Sequence, residues 1–97
     1  MATYIALSNF TDQGIRNIKD SAKRADAVKE AAKKLGCNMT QLYWTLGHYD
    51  LVAIIEAPDD KSATAFALAV GAAGNVRTQT LRAFGREEMN GILGKLG

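Results

Sequence analysis

At 97 residues the chain is long enough for one hydrophobic core and too short for a second to separate, so a single domain spanning 1–97 is expected. Hydrophobic residues make up 47% of the chain and charged residues 23%, the balance of an ordinary globular protein and not of a disordered one. The formal charge of +2 excludes capture of nucleic acid by bulk electrostatics, which takes a clustered basic stripe.

Residues 3–10 place Ile5 and Leu7 on one face and Tyr4, Ala6 and Ser8 on the other, which predicts a first strand. Thr11 and Asp12 supply capping chemistry, and Ile15, Ile18, Ala22, Ala25, Val28, Ala32 and Leu35 recur at steps of three and four. One long amphipathic helix over 13–35 is therefore predicted, stopped by Gly36. Its cations, Arg16 to Lys34, are interleaved with Asp12, Asp20, Asp26 and Glu30, the pattern of a solvated helix face.

Residues 38–46 are rich in Thr, Tyr, Trp and Leu, and they meet an apolar run over 50–57 across Gly47-His48-Tyr49. A short-loop hairpin is the expected connection. Tyr43 and Trp44 are adjacent and so face opposite sides of their strand, one toward the core and the other toward an interface or pocket. Pro58 ends the third strand because it has no N–H for a ladder, and Asp59 or Asp60 caps a second helix. That helix carries the stripe Ala63, Phe66, Ala67, Val70 and Ala73 until Gly71 and Gly74 interrupt it. Residues 76–84 read as a fourth strand of polar, edge-like character. A short carboxyl-terminal helix follows over 86–96, where Met89, Ile92, Leu93 and Leu96 share a pattern weakened by Gly91 and Gly94.

The element order βαββαβ is that of an α+β, ferredoxin-like fold: a four-stranded antiparallel sheet with strands one and three in the middle and both helices on one face. Leu51, Ala53 and Ile55 alternate with Val52 and Ile54, so the third strand is apolar on both sides as far as Glu56. A sheet with one wet face alternates apolar with polar residues. A second copy of the chain, most simply in a twofold homodimer, is therefore expected to cover the open face.

Cys37 is the lone cysteine, so no intramolecular disulfide forms and a reducing cytoplasm is the expected setting. The strand-like start Met1-Ala2-Thr3-Tyr4 predicts no secretory leader, and no run approaches the ~20 apolar residues of a membrane span, so no membrane partner is expected.

Gly47, Tyr49 and Asp50 form a Gly-x-Tyr-Asp unit. Thr45-Leu46-Gly47 leads into it, Glu56-Ala57-Pro58-Asp59 follows, and the last strand runs Gly74-Asn75-Val76-Arg77-Thr78-Gln79-Thr80-Leu81-Arg82-Ala83-Phe84. In order and spacing these pieces resemble the GYD-domain family over roughly residues 3–88, with 90–97 outside the likeness. The resemblance implies a dimeric α+β barrel, two ferredoxin-like sheets packed face to face, and brings no established activity.

Chemistry in this sequence is sparse. His48 is the sole histidine and so the first general-base candidate, with Asp50 beside it; equally, a histidine in an exposed turn is simply solvated, while Gly47 and Asp50 suit the turn itself. One histidine without a nearby His or Cys makes a poor metal site, and no cofactor motif is present: Gly71-Ala72-Ala73-Gly74 lacks the Lys-Ser/Thr of a phosphate loop. Arg82 shares a strand face with Thr78 and Thr80 and neighbours Tyr4, Ser8 or Asn9. It either clamps a carboxylate or phosphate or pairs with Glu56 or an aspartate across the dimer. Tyr4, Trp44, Tyr49 and Arg82 are thus the candidates to line a site for a small organic ligand. The reading is a homo-oligomeric small-molecule-binding or accessory protein, with a cofactor-independent monooxygenase- or isomerase-like enzyme and a protein assembly module as alternatives.

Overall fold

The computed structural model describes residues 1–97. Four strands, β1 (Ala2–Phe10), β2 (Asn38–Trp44), β3 (Leu51–Ala57) and β4 (Val76–Ala83), form one antiparallel sheet in the order β2-β3-β1-β4. The helices are α1 (Asp12–Arg16), α2 (Ser21–Lys34), α3 (Asp60–Ala72) and α4 (Arg86–Gly94), with a 3-10 turn at Ile18–Asp20. This is the expected α+β architecture with the β1 and β3 strands central.

The register sorts the sheet residues cleanly. On the helix-covered face, three rows run from β2 to β4: Met39–Ile55–Tyr4–Arg82, Leu42–Ala53–Ala6–Thr80 and Trp44–Leu51–Ser8–Thr78. Tyr4, Ala6, Met39, Ala53, Ile55 and Ala57 on this face join Ala32 of α2 and Ala63 and Phe66 of α3 in the buried core. The opposite face carries Ile5, Leu7, Val52 and Ile54, flanked by Tyr43 and Leu81, and no element of the chain covers it.

Two connections differ from the expected ones. The helix expected over 13–35 is three pieces, because the chain turns out of α-geometry at Asn17 and the Arg24 guanidinium donates to the Asn17 carbonyl at 2.6 Å and the Gly14 carbonyl at 3.3 Å. The Gly14 carbonyl lies at the end of α1, the Asn17 carbonyl also accepts the Asp20 N–H of the 3-10 turn at 3.0 Å, and a cation suits that end. Gly14 itself is wedged against β4's approach, where a Cβ would stand 2.1 Å from the Asn75 carbonyl oxygen. The hairpin loop is six residues, 45–50, with Thr45 and Asp50 still joined by a 2.8 Å backbone bond and Gly47 at φ +105°, a conformation that favours glycine.

Beyond β4, all of α4 is exposed, Met89, Ile92 and Leu93 included. With α4 projecting, the chain measures 53 × 31 × 18 Å and its radius of gyration is 14.6 Å, against about 12.5 Å for a compact domain of this length. No helix is long and apolar enough to cross a membrane.

Candidate functional site

Two adjoining hollows lie on the helix side of the sheet. The inner one, a cavity of about 110 Å³ partly open to solvent, sits between the sheet and helices α2 and α3, with Tyr4, Ser8, Phe66 and Trp44 among its walls. The outer one is a cleft of about 330 Å³ bounded by Tyr4, Asp60, Thr64, Thr80 and Arg82, and it shares Tyr4, Ala63, Ala67 and Thr80 with the first. Of the expected ligand-site residues, Tyr4 faces both, Trp44 the inner and Arg82 the outer.

Tyr4 links these spaces. Its hydroxyl donates a 2.5 Å hydrogen bond to the Asp60 carboxylate, and that bond, with burial second, raises its pKa and keeps the phenol protonated. Arg82 stands in the same row, its guanidinium 4.6 Å from the Phe84 ring centre and 5.7 Å from that of Tyr4. Arg82 donates to the carbonyls of Thr3 and Ala83 and, at 2.9 Å, to the carboxylate of Glu88 of α4, the acid that pairs with it. This hydrogen bond holds the Glu88 carboxyl below the usual carboxylate range.

At the other end of the cavity, Trp44 is 50% exposed, and its indole N–H donates to Ser21 Oγ at 2.9 Å, fixing the ring at the rim between β2 and the start of α2. Beside it in the same row, the Ser8 and Thr78 hydroxyls meet at 2.9 Å. Tyr43, on the opposite face, is exposed.

The Gly-x-Tyr-Asp unit is a clip between strands. The Asp50 carboxylate accepts the Phe10 backbone N–H at 2.9 Å, its own N–H donates to the Ser8 carbonyl, and the Tyr49 hydroxyl donates to Gln79 of β4 at 2.9 Å. Gln79 lies opposite Leu7 on the open sheet face, so Tyr49 is drawn to that side. His48 is exposed at the loop, and none of His48, Tyr49 and Asp50 lines the inner cavity or the outer cleft. No group of three or more His, Cys, Asp or Glu side chains is placed to hold a metal ion.

Sequence reasoning did not single out Asp60 as the partner of Tyr4 or Glu88 as the partner of Arg82. It also passed over the small residues that make room for the cavity: Ala6 and Ala53 alternate inward along their strands while Ala63 and Ala67 face them from α3. Alanines at inward positions of both layers were the available signal.

Residues 4–93 match the GYD domain family. The chain belongs to that family. The matched GYD region extends into α4, beyond the likeness read from the motifs alone. A Thermus thermophilus protein named glutamine synthetase and cystathionine beta-lyase binding protein is 33% identical over 84 residues, which cover 86% of this GYD chain and 88% of that protein. A crystal structure of a protein from the same organism is similar with a TM-score of 0.58 at 26% identity, over 88% of this chain and 95% of that one.

Proposed function

We propose that this GYD protein is a homo-oligomeric accessory protein of the cytoplasm: it pairs with a second copy through the open sheet face, docks on a metabolic enzyme, and holds a small organic ligand between sheet and helices. The observation that carries the reading is the uncovered apolar face of Ile5, Leu7, Val52 and Ile54 on the two central strands of the sheet. An apolar patch of this kind on a small domain marks an interaction surface. The relative's name, as a binder of glutamine synthetase and cystathionine beta-lyase, supports an enzyme as the further partner. With the sheet faces paired, the exposed Met89, Ile92 and Leu93 of α4 remain to meet it.

The test is direct binding, by biolayer interferometry, of the full chain to purified glutamine synthetase and cystathionine beta-lyase from the same organism. Micromolar association with either, lost on truncation after Gly85, is the expected result; no association at 100-fold higher concentration, about 2.7 kcal/mol weaker, removes the enzyme-docking part.

The cofactor-independent enzyme reading has one observation in its favour, the cavity bounded by Tyr4 and Trp44. It has less support than the accessory reading because its proposed proton acceptors lie elsewhere: His48 is exposed and the Asp50 carboxylate is engaged by the Phe10 amide.

A further inference from the structure

The inner cavity has a definite chemistry. Its floor is the middle row of the sheet, where Ala6 and Ala53 stand side by side, and its roof sets Ala25, Ala63 and Ala67 against them. Small side chains on both walls leave a space of about 110 Å³. This is of the order of the ~150 Å³ apolar cavity that admits benzene in an engineered lysozyme.

The lining has 23 residues, 17 of them hydrophobic, with neither a carboxylate nor a histidine among them. Its single cation, Arg24, already donates to the carbonyls of Asn17 and Gly14. These bonds use two of its five N–H groups, and the lining holds no second cation to share an anion's charge. The Thr80 hydroxyl lies beside Ala6 on the side shared with the outer cleft, while at one end of the cavity Ser8, 8% exposed, touches Thr78. Two hydroxyls carry two hydrogens, and their mutual contact uses one; neither makes another hydrogen bond. One O–H and several lone pairs are therefore left for a ligand, whereas away from the Thr80 side a second polar group would meet alanine, aliphatic and aromatic walls.

We propose that this cavity binds a neutral, compact, mainly apolar molecule with one hydroxyl or carbonyl group, of which phenol is the simplest example, its polar atom held at the Ser8–Thr78 pair. The proposal rests on the small-molecule part of the proposed function and narrows it to a ligand class.

Two-dimensional amide NMR on the full chain, titrated separately with phenol, toluene and benzoate, tests it. Phenol is expected to shift the amides of Ala6, Ala53 and Phe66 at submillimolar to millimolar concentration, binding about threefold to tenfold more tightly than toluene, the range of one net hydrogen bond. Benzoate is expected to bind more weakly than phenol. The Ser8→Ala, Thr78→Val double variant, which replaces both partners together, should keep the melting temperature and bring the phenol-to-toluene ratio close to one. Ala53→Leu, or Ala67→Leu should the first fail to fold, should abolish binding of both by filling the space. Equal binding of phenol and toluene to the unaltered chain overturns the ligand class while leaving a small-molecule site; benzoate binding best overturns it in favour of an Arg24-anchored anion. No shift with any of the three overturns the cavity as a site, and the small-molecule part of the proposed function with it.

Discussion

The Asp50 carboxylate and the Phe10 amide meet across forty positions of sequence, and the contact holds the hairpin loop to the end of β1. Asp50→Ala leaves that N–H without its acceptor, and urea unfolding should show a loss of about 1–3 kcal/mol, whereas Asp50→Asn, which retains an acceptor, should lose less than half as much. Two glycines make a sharper pair. Gly14→Ala drives a methyl to 2.1 Å from the Asn75 carbonyl and should cost about 1–3 kcal/mol, lowering the melting temperature by about 4–8 °C for each of them. Gly71, within α3 and with nothing near its missing Cβ, should instead stabilise the fold by about 0.5–1 kcal/mol when replaced by Ala. The need for glycine at position 47 was legible from the turn signal around it. The needs of Gly14 and Asp50 were not, because their partners, Asn75 and Phe10, are brought to them only by folding.

Among the elements, strand faces followed from alternation, β2 ended at Trp44 and not at residue 46, and α3 began where Pro58 and the Asp59 cap placed it, with the Asp59 carboxylate accepting the Ser62 N–H at 2.8 Å. That N–H, together with the Ser62 side chain, holds the Asp59 carboxyl below its ordinary range. The folded state thus prefers the charged form, so the stabilisation is complete above the unfolded carboxyl value of about 3.9 and fades as pH falls through the lower folded one. Thermal melts of the wild-type chain and Asp59→Asn should therefore differ at pH 7, with the wild type higher, and converge as the pH drops below about 4. Glu88, held down by the Arg82 guanidinium, follows the same sign, so the tie between α4 and β4 should loosen over the same acidic range, read as faster amide exchange in α4 relative to β4. The split of the first helix was not legible. Its three- and four-residue spacing continues unbroken through Asn17, yet Ile15 and Ile18 end exposed, and the carbonyls that Arg24 satisfies become available only once the chain has bent.

For the whole molecule, the uncovered face of Ile5, Leu7, Val52 and Ile54 sets the assembly prediction. Light scattering after size-exclusion chromatography should give twice the chain mass at micromolar concentration, and Ile54→Asp, which charges the middle of that face, should give a monomer that keeps its helical and strand circular dichroism. A monomeric wild type would remove the pairing. The amino-acid sequence by itself determined the α+β order and the two-sided apolar character of β3, because alternation, helical spacing and turn residues act over short stretches of chain, and the central position of β1 and β3 followed from matching that order to the ferredoxin-like arrangement. Only the tertiary structure decided which groups meet: Tyr4 with Asp60, Arg82 with Glu88, Ser8 with Thr78, and the alanines of two layers around a common space. Such contacts join residues far apart in sequence through strand register and helix placement, and local pattern carries no record of them.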